Sequence, residues 1–535
     1  MLPDAPSTTE GHHLRLAPLL AIALLGIAVA TFAALTFHYD FVSDDAFITF
    51  RYARNWASGL GLVFNPGERV EGYTNFVEVA VLAGLYRLGV DLVAAGRGFS
   101  FAGGIATIVL TYVLARRAAI GRRVPALVAA GLLAVNPYLA VWAGAGLEST
   151  VFAALLLGAV LLLEDGPVTS RRFSALSALG LFLGMTRPEG VLLYALLAAC
   201  VSVTMPGTLT ARVRLLWPGL ALFTALGTFY FASRWIYFGD PLPNTFYAKS
   251  GFTLRYVERG LAYVGEFAAN PFVLCALPLV AAGVVTALFR RRFTLAAVPL
   301  ATMALVVGEG GDGLPMYRFL VPAIPFFAVL AALGCDGLAR FGARIHSCAG
   351  AGVALAVGLA AAAGVAVLSF FPNADGQYAI FEDQRDVEIP AWSAVGRALA
   401  LTFPPETTFA AVPIGAVSYY SGLRVIDMVG LTDRTIAHTF VPNMGGAGSA
   451  GHEKHNGAYV LLRRPELLLL GNIFVDTAPV LPPNYFPPYD LPAIRWREKD
   501  VWAHPAFATA YVRRDLRIDE VHWLHYFARR DVSTR

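Results

Sequence analysis

Residues 16–45 read LAPLLAIALLGIAVATFAALTFHYDFVSDD and set the class of structure that this chain can form. The run 16–37 is almost entirely apolar and is long enough for a helix to cross a lipid bilayer. No small-residue cleavage site follows it, so we expect a retained first span with a cytoplasmic N-terminus rather than a signal peptide. Two adjacent carboxylates, Asp44 and Asp45, come shortly after the span.

The composition of the whole chain also indicates a membrane protein. Of its 535 residues, 57% are hydrophobic and only 15% are charged, and the mean hydropathy is +0.59. Soluble proteins carry about 25% charged residues and disordered chains are more polar still, so both classes are excluded. The net charge of +4 gives no indication of a nucleic-acid partner. The four cysteines have no zinc or redox spacing, and no metal ligand set is predicted.

The arginine clusters predict the topology. Residues 76–95 contain Glu78, Arg87 and Asp91, and charges at bilayer depth are costly, so we expect this stretch to lie along the membrane surface. With that choice, nearly every arginine cluster falls on one side, which the positive-inside rule assigns to the cytoplasm. The prediction is about eleven spans: 16–37, 98–115, 124–141, 147–163, 173–186, 190–206, 215–234, 269–289, 293–307, 316–334 and 350–371.

Charge density divides the chain near residue 372. Of 78 charged residues, 34 lie in residues 372–535. We therefore predict a transmembrane domain over 1–371 and a soluble α/β domain over 372–535. An odd number of spans places the soluble domain outside the cytoplasm. The stretch 426–434 is typical of a short strand followed by a polar turn.

Most polar motifs of the membrane domain share the extracytoplasmic side in this topology. A carboxylate with a raised pKa can deprotonate a hydroxyl, which makes Asp44 and Asp45 candidate general bases. The alternative is structural, with Ser43 as the N-cap and both carboxylates in the first turn of a helix. Lys249 is the only lysine in 1–371, and it can pair with a phosphate or serve as a snorkelling anchor.

Other polar residues have equally simple structural alternatives. Arg318 can bind phosphate oxygens bidentately or anchor a span at the interface. Arg187 can do the same or pair locally with Glu189, and Glu148 can cap the helix after it. The glycine-rich turn 310–313 lets backbone approach a ligand, or is an ordinary turn. His452-Glu453-Lys454-His455 does not match a HExxH metal motif.

Five segments occur in an order that resembles a known superfamily. They are SDDAFITFRYARNWASGLGLVFNPGERVEGYTNF (43–76), RPEG (187–190), FGDPLPNTFYAK (238–249), GGDGLPMYRFLVP (310–322) and DMVGLTDRTIAH (427–438). Together they resemble the GT-C superfamily of membrane glycosyltransferases, which use polyprenyl-phosphate sugars. The best match is the group that contains the mycobacterial terminal arabinofuranosyltransferase.

The resemblance implies a GT-C fold of about eleven spans with surface helices in the first outer loop. It implies an inverting transfer of a sugar, arabinofuranose in the best-matching group, from a polyprenyl phosphate to a cell-envelope glycan or lipid. The base is then Asp44 or Asp45, and we expect Asp44, with Asp45 orienting it or the acceptor. We expect the donor phosphate to be held by Lys249, Arg318 and Arg187. Further substrate contacts are expected at Arg54, Glu68, Tyr73, Asn75, Glu148, Asn244 and Asp312.

Cofactors and alternatives follow from the same resemblance. Some relatives bind a divalent cation at the lipid phosphate, but no ligand spacing here demands one. The soluble domain would hold a glycan acceptor near the site, and the protein would lie in a bacterial inner membrane among its lipids. Two other functions stay open, a lipid or glycan transporter and a non-catalytic envelope assembly factor.

Overall fold

The computed structural model describes residues 18–164, 166–249, 251, 253–345, 376–442, 444–446, 450–473, 475–477 and 496–532. The described residues of 18–345 form helices and the loops between them, and those from 376 onward form both helices and strands. The predicted span 350–371 and the predicted boundary at 372 lie outside the described residues.

The helical part contains both long apolar helices and shorter ones. Its helices are α1 (Pro18–Tyr39), α2 (Asp44–Ala57), α3 (Phe76–Arg87), α4 (Leu92–Ala118), α5 (Arg123–Ala134), α6 (Pro137–Gly144), α7 (Ser149–Glu164), α8 (Ser170–Thr186), α9 (Gly190–Thr204), α10 (Leu209–Phe238), α11 (Asn244–Lys249), α12 (Leu254–Ala269), α13 (Pro271–Phe289), α14 (Thr294–Glu309) and α15 (Ile324–Ile345).

Length and composition identify fewer membrane spans than the sequence predicts. Among the described residues, α1, α4 and α10 are long and apolar enough to cross a membrane. The number rises to five if α5–α6, bent by 61°, and α12–α13, bent by 94°, each form one span. Helices such as α7, α9 and α14 are apolar but have only 15 or 16 residues. At 1.5 Å per residue they are shorter than the roughly 30 Å hydrocarbon core, so the predicted count of eleven is not reached by this criterion.

The predicted surface stretch 76–95 is two elements, which corrects its boundary. The helix α3 ends at Arg87, and α4 already begins at Leu92. Gly89 adopts a positive φ of 85° and Asp91 caps α4 by accepting from Ala94, so the chain turns between the two helices. With 12 residues, α3 is about 18 Å long and too short to cross a bilayer.

The arginine-bearing turns meet at one end of the helical bundle. Asp336 of α15 forms ion pairs with Arg122 and Arg290, which come from two of these turns, and with Arg340, four residues further along α15 itself. This shared end agrees with the sequence prediction that these clusters lie on one side. Which side of a membrane it faces stays a prediction.

The helix α14 connects that end to the opposite one. Its first residue, Thr294, donates to Glu164, which also pairs with Arg292 of the arginine-rich end. Its last residue, Glu309, lies close enough to Arg187 and Lys249 to interact electrostatically. The polar motifs that the sequence places on the outer side therefore gather about 24 Å from the arginine cluster.

The C-terminal domain is a mixed sheet flanked by short helices. Its strands run in the order β2-β1-β3-β6-β4, with β5 also paired to β6. The strands β1, β2 and β3 are parallel, and those around β6 are antiparallel. Its elements are α16 (Gly376–Asp383), α17 (Ile389–Thr402), β1 (Thr408–Ala411), α18 (Gly415–Ser421), β2 (Arg424–Asp427), α19 (Arg434–Ala437), α20 (Gly457–Leu462), β3 (Leu467–Leu469), β4 (Val475–Asp476), α21 (Trp496–Trp502), α22 (Pro505–Ala510), β5 (Tyr511–Arg517) and β6 (Trp523–Arg529).

The carboxyl ends of β1 and β2 face the loops of the helical part. The turn after β1 contacts Asp44, and the turn after β2 accepts hydrogen bonds from Asn244. In open α/β sheets this edge is where ligands usually bind. Here it is directed at the end of the bundle that holds the polar motifs.

Candidate functional site

The two adjacent carboxylates point in different directions from the first turn of α2. Ser43 precedes the helix with an extended backbone, but its hydroxyl makes no capping hydrogen bond. Successive helical residues point about 100° apart. Asp44 therefore faces the C-terminal domain, whereas Asp45 faces the turn that carries Arg318.

Asp45 belongs to an ion network centred on Arg318. The guanidinium of Arg318 donates to both carboxylate oxygens of Asp312, at 2.8 and 2.9 Å. Its third nitrogen lies 3.2 Å from Oδ2 of Asp45. The Arg318 and Asp312 side chains are only 7% and 4% exposed, whereas that of Asp45 is 29% exposed. Asp45 is therefore the member of this network that a ligand can reach.

The cations around Asp45 keep it ionised. Burial raises the pKa of Asp45, but Arg318, Lys249 and His452 together outweigh that effect and hold the pKa below its ordinary value. Asp44 behaves in the opposite way. Its burial raises the pKa to about 7, although hydrogen bonds from Ala416 and Gly415 oppose the shift. The pKa values of the two neighbours are thus shifted in opposite directions.

The sequence predicts Arg318 at the head of the span 316–334, but in the structure no long helix begins there. Arg318 instead opens a short 3₁₀ turn, Arg318–Leu320, and α15 begins only at Ile324. The two preceding residues, Met316 and Tyr317, have positive φ angles of 59° and 49°, which non-glycine residues rarely adopt. Trp142 holds this backbone by donating to the Met316 carbonyl at 2.9 Å. The unusual turn aims Arg318 at the two carboxylates.

Lys249 approaches the same carboxylate from α11. It interacts electrostatically with Asp45 and with Glu309. A Cβ built on Gly451 would lie 3.0 Å from the Lys249 side chain, so Gly451 leaves room for the lysine stem. Within the described part of the chain, the Lys249 ammonium makes no ion pair or hydrogen bond. It is therefore available for an anionic ligand.

Arg187 and Glu148 form a neighbouring buried network. Arg187 donates to Glu148 at 2.8 Å and also pairs with Glu189. Its guanidinium stacks on Phe319, the residue after Arg318, with 4.7 Å to the ring centroid. The local pair with Glu189 is the structural alternative that the sequence left open. Two carboxylates thus already balance the charge of Arg187.

Asn75 extends this network into the first loop. Its amide nitrogen lies 2.9 Å from Glu78, 3.3 Å from Glu148 and 3.1 Å from the Thr49 hydroxyl. Burial and the nearby Glu148 raise the pKa of Glu78 well above its usual range. Asn75 and Glu148, both predicted substrate contacts, are thus in contact with each other and with neighbouring side chains of the protein.

Four predicted substrate contacts are used to join parts of the protein. Arg54 donates to the Tyr419 carbonyl at 2.9 Å, and Glu68 pairs with Arg424 and Arg463 of the C-terminal domain. Asn244 donates to the carbonyls of Gly430 and Leu431, and Tyr73 packs against Tyr52 and Phe238. In each case the polar or aromatic group contacts other protein groups, and the structure does not bring these four residues to Asp45, Lys249 or Arg318.

Two residues of the site were missed by the sequence interpretation. Glu309 is exposed at the end of α14, beside Arg187, Asp312 and Lys249. His452 comes from the C-terminal domain and contributes to the charge around Asp45. The glycine-rich turn next to Glu309 and the stretch 452–455 are both visible in the sequence, but neither pattern indicates which residues meet in space.

The residues of this site do not form a ready metal site. Within the described residues, no group of three or more His, Cys, Asp or Glu side chains is placed to hold a metal ion. The two carboxylates nearest Arg318 are both paired with that arginine. The divalent cation at a lipid phosphate therefore stays a prediction, and no chemical step below passes through it.

Comparison with solved structures identifies the fold. The crystal structure of ArnT from Cupriavidus metallidurans bound to undecaprenyl phosphate has a TM-score of 0.57 and 13% sequence identity, over 96% of this chain and 98% of ArnT. The apo structure of ArnT gives a TM-score of 0.56 and 14% identity over 95% and 98%. The archaeal oligosaccharyltransferase AglB from Archaeoglobus fulgidus reaches 0.48 at 13% identity over 76% and 64%, which is too weak to add to the assignment.

Sequence comparisons are less informative. A family model described as a domain of unknown function, DUF8728, matches residues 377–515. No characterised protein sequence matches the chain. At 13–14% identity the likeness to ArnT concerns the fold alone. The chain is thus a helical membrane protein of the GT-C fold with a C-terminal α/β domain, as the sequence resemblance predicts.

Proposed function

We propose that this protein is a membrane glycosyltransferase that moves a sugar from a polyprenyl-phosphate donor to a hydroxyl group of a cell-envelope glycan or lipid. The observation that carries the proposal is the approach of Arg318 to within 3.2 Å of Asp45, with Lys249 beside them. In this arrangement the carboxylate can remove a proton, and the two cations beside it can bind a phosphate. The fold supports the same conclusion, because ArnT has been solved with undecaprenyl phosphate bound.

Lys249 and Arg318 are the proposed donor-phosphate ligands. A sugar bound to a polyprenyl phosphate is a phosphodiester with one negative charge, and the departing lipid phosphate carries up to two. Fixed cations stabilise that growing charge in the transition state. We do not include Arg187, because it pairs with Glu148 and Glu189 and forms no ion pair with Asp45, whereas Arg318 does. Arg187 is better placed to support Phe319 and the Arg318 turn.

Asp45 rather than Asp44 is the proposed general base. Asp44 is held by two backbone N–H groups, whereas Asp45 is partly exposed beside both phosphate ligands. A bound phosphate would take over part of the charge of Lys249 and Arg318. The pKa of Asp45 would then rise from its lowered value, because a nearby anion and the loss of cationic attraction both favour its protonated form. Donor binding would thus make Asp45 a stronger base.

The proposed step is a single displacement. Asp45 accepts the proton of the acceptor hydroxyl, whose oxygen forms a bond to the anomeric carbon. The bond from that carbon to the phosphate oxygen breaks, and its electron pair leaves with the lipid phosphate. Attack from the side opposite the leaving group inverts the anomeric configuration. Glu309, exposed next to this site, is the proposed acceptor of hydrogen bonds from sugar hydroxyls.

The sugar, the acceptor and the cellular location are proposed from the sequence resemblance. Arabinofuranose on a polyprenyl phosphate is the first donor to test. The arginine-rich end around Asp336 would face the cytoplasm, by the positive-inside rule. The proposed active site and the C-terminal domain would then lie outside, on a bacterial inner membrane.

A transfer assay separates this function from its rivals. The purified full-length protein is incubated with a polyprenyl-phosphate sugar and an oligosaccharide acceptor, and free lipid phosphate and elongated acceptor are measured together. An enzyme produces both in equal amounts, and the new linkage has the inverted configuration. A transporter in sealed vesicles would move the lipid-linked sugar with no release of lipid phosphate. A non-catalytic assembly factor would bind glycan and produce neither.

A further inference from the structure

The short helix α18 of the C-terminal domain lies along α2 of the first loop. At its start, Oδ2 of Asp44 accepts from the backbone N–H of Gly415 at 3.0 Å. Oδ1 of the same residue accepts from Ala416 at 2.7 Å. Asp44 therefore satisfies two N–H groups that the helix itself cannot pair.

Two arginines of α2 donate hydrogen bonds to backbone carbonyls at the other end of α18. Arg51 donates to the carbonyls of Ser418 and Leu423, at 2.7 and 2.8 Å, and its side chain is buried. Arg54 donates to the carbonyl of Tyr419 at 2.9 Å and stacks on its ring. One face of α2 thus presents the carboxylate of Asp44 to the N–H end of α18, and the guanidinium groups of Arg51 and Arg54 to its carbonyl end.

Both carboxylate oxygens of Asp44 are thus engaged in this contact. Its main chain is equally engaged, since a Cβ built on Gly415 would lie only 2.0 Å from the Asp44 carbonyl oxygen. Only a glycine at 415 permits this approach. The contact joins positions more than 370 residues apart in the chain.

The docked domain also contributes to the proposed active site. Its segment 450–452 lies against Lys249 through Gly451, and against Gly313 through the Ala450 carbonyl. Glu453 fixes the segment, because it pairs with Arg259 at 2.6 Å and accepts from Tyr256 at 2.8 Å. Next to it, His452 adds to the positive charge around Asp45.

We infer that Asp44 is a positioning residue that docks the C-terminal domain onto α2, and that this docking places segment 450–452 against Lys249 and Asp45. The adjacent acids of the Ser43-Asp44-Asp45 motif thereby divide two tasks, domain docking and proton removal. The catalytic part of this inference rests on the proposed glycosyltransferase function. The docking part does not.

The test compares Asp44→Asn, Asp44→Ala and Gly415→Ala in the full-length protein. Gly376→Ala is the matched control, because a Cβ there meets nothing within 4 Å. Two quantities are measured, hydrogen exchange of peptides covering 412–421 and the donor KM and kcat of transfer. Asparagine keeps one acceptor oxygen and alanine none, so a docking role predicts a graded response.

We expect exchange in 412–421 to be at least about tenfold faster in Asp44→Ala and Gly415→Ala, and intermediate in Asp44→Asn. The donor KM should rise in the same order, while Asp44→Asn keeps a kcat within about tenfold of the unmodified protein. A loss of kcat of about 10²-fold or more in Asp44→Asn, with unchanged exchange, would assign Asp44 to the chemistry instead. Unchanged exchange in all three variants would overturn the docking role. If the unmodified protein transfers no sugar, the proposed function fails, and the exchange data still decide the docking role.

Discussion

At the residue scale, the geometry around Arg318 is the reason that we propose Asp45 and Lys249 to act on a phosphate-linked donor. Arg318 is fixed by two hydrogen bonds to Asp312, so it cannot swing away from Asp45. The stem of the Lys249 side chain lies against Gly451, and among the described residues its ammonium has no hydrogen-bond or ion-pair partner. The site therefore combines one rigid cation with one that can adjust to a phosphate.

Replacing Lys249 tests the phosphate role. Lys249→Gln removes one charge-assisted contact, of about 1.5–3 kcal/mol, so the donor KM should rise about 10- to 150-fold. Arg255→Gln is the control, because Arg255 is an exposed cation on α12. Steady-state kinetics with varied donor concentration measures both. An unchanged donor KM in Lys249→Gln would remove this lysine from the phosphate site.

The pH dependence of transfer tests the role of Asp45. A general base works only when deprotonated, and the cations hold the pKa of Asp45 below its ordinary value of 3.8. The acid limb of kcat/KM that belongs to Asp45 should therefore lie below about pH 4 in the free enzyme. Lys249→Gln removes one of these cations, so the pKa of Asp45 and the acid limb should both move to higher pH. An acid limb that stays in place or moves to lower pH in the variant would contradict this role.

At the element scale, close packing of glycines in α13 and α15 holds the helix that begins just after Arg318. A Cβ on Gly283 of α13 would lie 1.8 Å from the Leu330 carbonyl oxygen, and one on Gly334 of α15 would lie 2.0 Å from that of Leu279. Small residues allow helix backbones to approach in this way within membranes. The same two helices frame the arginine cluster at Asp336.

Gly283→Ala should force α13 and α15 apart. Overpacking of this kind costs about 1–3 kcal/mol, and we expect a lower midpoint of thermal unfolding in detergent together with reduced transfer. Gly26→Ala on α1 serves as the comparison, since nothing lies within 4 Å of its Cβ position. Equal unfolding midpoints in the two variants would show that this glycine contact is not needed for stability.

At the scale of the whole molecule, the fold class was predictable because it depends on composition and on the order of apolar stretches. The gathering of Arg122, Arg290 and Arg340 at one end follows from the same pattern. The division of labour between Asp44 and Asp45 was not predictable, because it depends on a helix more than 370 residues away. For the same reason, no sequence pattern predicts His452 beside Asp45 or Glu68 beside Arg424. The helix α12 falls between the predicted spans 215–234 and 269–289, and its buried residues are Tyr256, Gly260, Tyr263 and Phe267.

The orientation of the molecule can be tested by labelling single cysteines in intact cells, in a background without the native cysteines. Ile120 lies in the arginine-rich turn and is 66% exposed, whereas Phe440 of the C-terminal domain is 85% exposed. A membrane-impermeant maleimide should label Phe440→Cys in intact cells and Ile120→Cys only after the membrane is opened. The reverse pattern would place the proposed active site in the cytoplasm.

The proton-accepting role of Asp45 is tested most directly by measuring single-turnover release of lipid phosphate from a polyprenyl-phosphate sugar by Asp45→Asn. Asparagine keeps the shape of the side chain but cannot take up the proton, so the rate should fall about 10²- to 10⁴-fold. Donor binding and hydrogen exchange in 412–421 should stay as in the unmodified protein. A rate within a few fold of that protein would contradict the assignment of Asp45 as the base.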